Sequence, residues 1–313
     1  MSDNRQQLVE MADALFADLA GLSFVDAWPR LEEAGFGSLL IDESDGGFGG
    51  DWGDLAAIMR LAGYHALEAP LGEHVVALHL LADAELKTPE GPLSLAVHSG
   101  GGVPFGRHVT AAIVRGEDGV CLKAGKISEA TNPAGEPRDF VEWDGLGAQS
   151  LEIDLDILEY LAFLRVCQTA GALDAALALT IEYCSERQQF GRPLSKFQAV
   201  QQSIASLACE AAAVNCAAQG MAIALDSPGH ASFEIASAKL RANAAIKTGC
   251  ALAHQVHGAI GFTRDYPLNR LTRRMMGWRT EGGNDAYWSE RLGCMVRDKS
   301  GAQLWDFLVR RPG

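Results

Sequence analysis

Apolar residues recur at steps of three and four through the first and last parts of this chain, and a region of different period separates them. In residues 1–85, Leu8, Met11, Ala12, Leu15, Phe16 and Leu19 share one helical face. Trp28, Leu31 and Leu39 begin another region, and Leu55, Ile58, Met59, Leu61 and Ala62 form a helix running toward Pro70-Leu71-Gly72. Residues 92 to about 153 differ. Leu93–Val97, Ala111–Val114, Gly119–Leu122 and Phe140–Trp143 are short β-like runs separated by Gly, Pro and Asn. From Leu155 the helical period returns in Leu158, Leu161, Ala162, Arg165, Ala172, Ala176 and Leu179. It continues through Phe197, Val200, Ile204, Leu207 and Ala211, and then through an Ala-rich helix from about Ser232 to Val256 that holds Lys239 and Lys247.

The breaks are as informative as the periods. At Phe190-Gly191-Arg192-Pro193 the glycine can supply a turn, and the proline cannot continue a helix interior. Ser195 and Gln198 then stand at the S-x-x-Q spacing of a capping box, which predicts a helix restart. The segment therefore reads as two long helices joined by a tight turn carrying Arg187, Gln189, Phe190 and Arg192. Such a hairpin packs into an antiparallel bundle. A second break, Ile41 to Gly50, holds four glycines and reads as a loop. No strand–helix pair of βαβ type brackets it, which excludes a dinucleotide-binding fingerprint.

Composition narrows the class. A length of 313 residues exceeds what one ordinary core absorbs, and a hydrophobic content of 48% supports well-buried domains. A net charge of −14 argues against a nucleic-acid or anionic-membrane surface. No unbroken apolar stretch of membrane length and no basic-plus-apolar leader is expected. Cys121, Cys167, Cys184, Cys209, Cys216, Cys250 and Cys294 occur singly, without C-x-x-C or Cys/His ligand spacing. No metal site is expected, and the scattered thiols suit a reduced, cytoplasmic protein.

The run ERQQFGRPLSKFQAVQ resembles the signature turn of the acyl-CoA dehydrogenases, and Gln255-Val256-His257-Gly258-Ala259-Ile260-Gly261-Phe262 resembles a second signature of that family. AGFGSLLIDESDGGFGG followed by LEAPLGEHVVA is similar to its N-terminal helical domain, and VPFGRHVTAAIV to its β segment. The resemblance implies an α+β, mainly α fold. Residues 1–90 would be an N-terminal helical domain, 91–153 a small, truncated middle β-domain, and 154–313 a C-terminal antiparallel four-helix bundle. It also implies FAD as cofactor. Arg187, Gln189 and Phe190 would lie on the diphosphate and ring side, with Gln198 beside them. Gln255, Gly258 and Gly261 would complete the site from another subunit. Ala259 stands where the family has a second glycine. Thr131 and Asn132 are the candidates for flavin contacts from the short β-domain, against a plain turn. His254 reads as structural, and His257 either as a helix-end residue bonding local carbonyls or as a cofactor contact.

The reaction implied is α,β-dehydrogenation of an acyl-CoA thioester to the 2-enoyl-CoA, with a carboxylate taking the α-proton and the β-hydride passing to flavin N5. Glu281, in Thr280-Glu281-Gly282, matches the family's Glu-Gly pair once a one-residue gap is allowed. Burial would raise its pKa into a useful range. The alternative is a loop glutamate paired with Arg279 or Arg274. The family's other base position, on the helix before the turn, falls near Leu161, with Glu159 about half a turn away. Asp285 and Glu290 read as surface charges, and Tyr287 and Trp288 as packing residues opening the last helix. The resemblance implies a homo-oligomer (dimer or tetramer), or a heterotetramer with a second, unlike subunit as in steroid side-chain degradation, and an electron-transfer flavoprotein as acceptor. A non-catalytic partner subunit and a flavin-free helical binding protein are the competing readings.

Overall fold

Helix α5 (Ile157–Glu186) is buried along most of its length, and the other helices are arranged around it. The computed structural model describes residues 3–97, 102–114, 120–151, 153 and 155–311. Helices α1 (Asp3–Leu19), α2 (Phe24–Glu33), α3 (Trp52–Tyr64) and α4 (Leu71–Asp83) come first. Strands β1 (Leu93–Ala96), β2 (Gly102–Pro104), β3 (Ala111–Val114), β4 (Val120–Ser128) and β5 (Arg138–Ser150) follow. After α5 come the hairpin strands β6 (Gln188–Gln189) and β7 (Arg192–Pro193), then α6 (Gln198–Leu225), α7 (Ser232–His257), α8 (Pro267–Trp278), α9 (Asp285–Arg297) and α10 (Gly301–Val309). The fold is thus mainly helical with a small sheet, as the periodicities predict. The sequence reading missed β2, the short strands β6 and β7 that flank the turn, and α10 beyond what was read as the last helix.

Local chemistry explains where the central helices begin. At α5 the Asp156 carboxylate accepts from the Leu158 amide (3.0 Å), and Glu159 accepts from the Asp156 amide (3.0 Å). Asp51 and Asp54 form the same reciprocal box at α3. The predicted box at Ser195–Gln198 does not form. Leu194–Lys196 is a short 3-10 turn, Phe197 occupies the cap position with extended backbone, and Gln198 is already the first helical residue. The Ser195 carbonyl instead accepts from the Gln201 side chain at 2.9 Å. On α6 the predicted apolar face is fully buried only at Leu207 and Ala211, continuing to Val214 and Ala218; Val200 and Ile204 are half-buried.

One large core joins the first four helices to α5–α9, while Ala96, Val103, Ala112, Val114 and Val141 form a second, smaller cluster in the sheet. The sheet order is β1-β3-β4-β5-β2, with β1 and β3 parallel and the remaining pairs antiparallel. Its two edge strands return toward each other, because the Ser94 hydroxyl on β1 donates to the Pro104 carbonyl on β2 at 2.9 Å. Two helices, α5 and α6, have the length and mean apolar composition to cross a membrane. In α5, 83% of that apolar window is buried inside the protein, so packing accounts for its character.

At the crossing of α3 on α5, glycines are needed for space. A methyl on Gly171 would fall 1.7 Å from the Arg60 carbonyl oxygen, and one on Gly63 would fall 1.9 Å from that of Gln168. Backbone cannot yield as a flexible side chain can, so overpacking here moves whole helices. Gly171→Ala is expected to destabilise the fold by about 3 kcal/mol or more. Gly220→Ala on α6, with no atom within 4 Å of the added methyl, should instead stabilise it by roughly 0.5–1 kcal/mol. Urea unfolding midpoints compare the two. Equal midpoints would mean that α3 and α5 do not cross this closely.

Candidate active site and cofactor face

Between the sheet and the start of α5 lies a cleft of about 440 Å³. Leu95, Val97 and Pro104 form one wall, and Leu158 and Leu161 the other. The inner end carries Arg138, Arg165 and Glu281, with Tyr287 at the side. A larger cavity of about 810 Å³, near Trp52, His79, Tyr160 and His230, contains none of the predicted site residues.

The segment carrying Glu281 is fixed by close backbone contact. Gly282 (φ 65°) lies against α5, where a methyl would come within 2.7 Å of the Ala162 nitrogen. The indole of fully buried Trp288 donates to the Gly282 carbonyl at 2.7 Å. Trp288 therefore packs, as expected, and what it packs is this segment.

Glu281 is the junction of an ion network. Its Oε2 accepts from Arg165 Nε (2.8 Å) and Arg138 Nη2 (2.9 Å), and its Oε1 from Asn132 Nδ2 (2.9 Å). Arg165 Nη2 also donates to Glu73 Oε1 on α4 (2.6 Å), and Arg138 Nη2 to Glu136 Oε2 (3.1 Å). Glu136 pairs in turn with Arg274 at 3.2 Å. Burial alone would push the Glu281 carboxyl up, but the Arg138 and Arg165 guanidiniums and the hydrogen bonds outweigh it and hold the pKa at about 2. This corrects the expectation of a raised pKa. It also replaces the expected partners: Arg279 pairs with Asp285 (3.1 Å) and Arg274 with Glu136, while the partners of Glu281 are Arg138 and Arg165.

The other candidates have clear places. Glu159 is buried, caps α5 and pairs with Arg291 at 2.9 Å. Leu161 lines the cleft and carries no acid. The Asn132 side chain closes a turn by accepting from the Ala134 amide (2.9 Å) and the Glu136 amide (3.1 Å), while its amide reaches Glu281. Sequence reading missed Arg165, Glu73, Glu136 and Arg138. The available signal was a charge inside an otherwise apolar helix, which must be paired when buried.

The predicted cofactor residues lie away from the cleft. Phe190 (φ 52°) and Gly191 (φ 78°) form the two-residue turn between β6 and β7, a geometry that suits the hairpin twist. Arg187 ends α5, and Gln189 and Gln198 are exposed beside the turn. Phe190 is 93% exposed, and the Arg187 side chain has no hydrogen-bond or ion-pair partner among the described residues. At the end of α7, Gln255 and Gly258 are exposed and Gly261 is buried. His257 donates from Nδ1 to the Ala253 carbonyl (2.8 Å) and stacks on Tyr183 of α5 (4.6 Å), joining the two motifs at one end of the bundle. His254 contacts Thr272 at 2.9 Å and stacks on Phe262. Glu281 lies beyond the opposite end of α8, a helix of 12 residues, or about 18 Å. The chain does not bring it to the hairpin.

An unpartnered guanidinium beside an almost fully exposed aromatic ring suits an aromatic polyanion. The exposed polar surface around Gly258 suits close approach of a phosphate group to backbone. These residues fit FAD in kind, but as an open face rather than an enclosed pocket.

Comparison with known proteins identifies the fold. The ChsE4-ChsE5 complex from Mycobacterium tuberculosis superposes with a TM-score of 0.83 at 19% identity, over 96% of this chain and 99% of that chain. A Tcur3481-Tcur3483 steroid ACAD variant gives 0.83 at 21% identity, over 94% and 98%. The fold is that of an acyl-CoA dehydrogenase. Residues 152–293 match the family described as acyl-CoA dehydrogenase, C-terminal domain. The acyl-CoA dehydrogenase IpdE2 of Mycobacterium tuberculosis is 28% identical over 88% of this chain and 92% of its own. Residues 152–293 thus belong to the acyl-CoA dehydrogenase C-terminal domain family, and the chain as a whole resembles its short members.

The network makes a prediction about acid. Lowering the folded-state pKa of Glu281 from 4.5 to about 2 corresponds to about 3 kcal/mol of stability above the unfolded value. Because the folded pKa is the lower one, this stability is complete above about pH 5 and lost as pH falls toward 2. Arg138→Met should raise the Glu281 pKa and flatten this part of the pH dependence, as followed by urea unfolding between pH 3 and 7. An unchanged slope would mean that Arg138 does not set the ionisation of Glu281.

Proposed function

We propose that the chain is a subunit of an FAD-dependent acyl-CoA dehydrogenase that converts an acyl-CoA thioester to its 2-enoyl form, with residues 1–90, 91–153 and 154–313 as its three domains. The observation that carries this reading is the division along α8: an ionised carboxylate facing a largely apolar cleft at one end, and an open, unpartnered Arg187–Phe190 face at the other. Each end requires something that this chain does not supply to itself. A second subunit, identical or unlike, would complete both. The comparison with a complex named for two chains supports the unlike case. Cytoplasmic location and an electron-transfer flavoprotein as acceptor belong to the same proposal.

Bound FAD would supply the acceptor for the β-hydride. The chain's own contribution begins with the acyl group between Leu95, Pro104, Leu158 and Leu161. Glu281 takes the α-proton. Its Oε1, held only by the neutral Asn132 amide, is the available oxygen, since Oε2 receives both guanidinium bonds. The α-proton ends on that carboxyl, and the electron pair it leaves forms the new C=C bond as the β-hydride departs. A carboxylate held at about 2 is a weak base at neutral pH, so loosening either ion pair strengthens it. Arg187, Gln189, Phe190 and Gln198 on one surface, and Gln255, Gly258 and Gly261 on the neighbouring one, would hold the cofactor's diphosphate and ring.

The second reading is a partner subunit that contributes the cofactor face and leaves proton abstraction to another chain. It is favoured by the same ion network, which holds the Glu281 carboxyl ionised and weakly basic.

A visible spectrum of the purified chain, alone and with a second acyl-CoA dehydrogenase-like subunit, is the decisive experiment. A flavin band that bleaches on acyl-CoA addition is expected, with Glu281→Gln lowering turnover by at least about a hundredfold. Bleaching that survives Glu281→Gln selects the non-catalytic partner reading. Absence of flavin from both preparations rejects the proposal and favours a flavin-free helical protein.

A further inference from the structure

Lys239 lies on α7 and is only 1% exposed, yet neither of its bonding partners is charged. Its Nζ donates to Asn243 Oδ1 and to the Trp278 carbonyl, both at 2.7 Å, and no carboxylate pairs with it. A buried ammonium without an ion pair is poorly compensated, and an apolar residue of similar length would fill the same space more cheaply. Burial, with the nearby Arg165 cation, pushes its pKa down to about 7 against the opposing pull of the Glu281 and Asp285 carboxylates. Core packing does not account for this choice of residue.

The bond to Trp278 does. Trp278 is the last residue of α8, so its carbonyl is one of those left unsatisfied at the helix C-terminus, where the dipole favours a cation. Three residues later comes Glu281. Beyond it, Gly282 is held by the Trp288 indole and by contact with α5. The segment is therefore anchored at both ends, by an ammonium before Glu281 and an indole after it.

We propose that Lys239 is a positioning residue for Glu281, fixing where α8 ends and so where the carboxylate meets the cleft. The inference deepens the proposed function and rests on it for its catalytic consequence, but not for its structural one.

The structural consequence is read by hydrogen–deuterium exchange on the purified chain. Lys239→Met and the shorter donor Lys239→Gln should each speed exchange of the amides at 279–284 by about tenfold or more, with β3 unchanged. Exchange at 279–284 within about twofold of the parent in both variants would overturn the proposal. Two variants are used because one may fold poorly. The catalytic consequence is read in the flavin-loaded assembly by a double-mutant cycle. Lys239→Met should lower turnover about tenfold when Glu281 is present and by less than twofold in the Glu281→Gln background. Equal losses in both backgrounds would also overturn it, since Lys239 would then act independently of Glu281. If Glu281→Gln alone leaves turnover intact, the proposed function fails, and the exchange comparison still decides the role of Lys239.

Discussion

A guanidinium inside a helix core must find carboxylates, and Arg165 finds them on two separate parts of the chain. It lies almost at the middle of the buried face of α5, where a lone charge would be strongly destabilising. Glu73 reaches it from α4, and Glu281 from the segment after α8. Removing either carboxylate leaves a charge buried without full compensation, a change of about 3–5 kcal/mol in comparable pairs. The N-terminal helices and the end of the bundle are thus tied to one another through a single side chain. The α3–α5 glycine crossing works in the same direction, by bringing the first helices close enough to α5 for α4 to present Glu73.

The pairing that fixes Glu281 also limits it. Preorganised cations keep the carboxylate ionised and oriented, which suits a group awaiting a proton, but they stabilise the charged form and so reduce its basicity. Strength as a base and rigidity of position oppose each other at this site. The asymmetry between the two oxygens eases the conflict, since the guanidiniums share Oε2 and leave Oε1 to one neutral donor. The separation along α8 adds a second constraint. A residue acting on substrate and the residues that hold cofactor diphosphate cannot meet across the length of that helix within one chain. Arg187 and Phe190 stand exposed at the far end from Glu281.

Much of this architecture is legible in the sequence because periodicity depends on local spacing. The helix–sheet–helix order follows from it, and the Phe190-Gly191 hairpin follows from turn chemistry that the structure realises with two left-handed residues. The capping box at Ser195 failed because spacing does not state where the backbone turns helical, and there the helix begins three residues later. The site was legible at Glu281 but not around it. Arg138 and Arg165 come from a strand and a helix 143 and 116 residues away in the chain, and no local pattern encodes such a meeting. Arg165 did leave a trace, as a charge inside an apolar period. Its significance depends on burial on all sides, which the period alone does not give.

Two departures from the family pattern therefore carry different weight. Ala259 replaces an expected glycine, yet its φ is not in the left-handed region and the residue is exposed, so a methyl is accommodated without strain. Gly258, its neighbour, takes the positive φ of 64° that the turn requires. At Glu281 the Glu-Gly pair is present, but its electrostatic surroundings differ from those of a carboxylate raised by desolvation. The ionisation of Glu281 is set less by the residues that match the motifs than by two arginines that no motif contains.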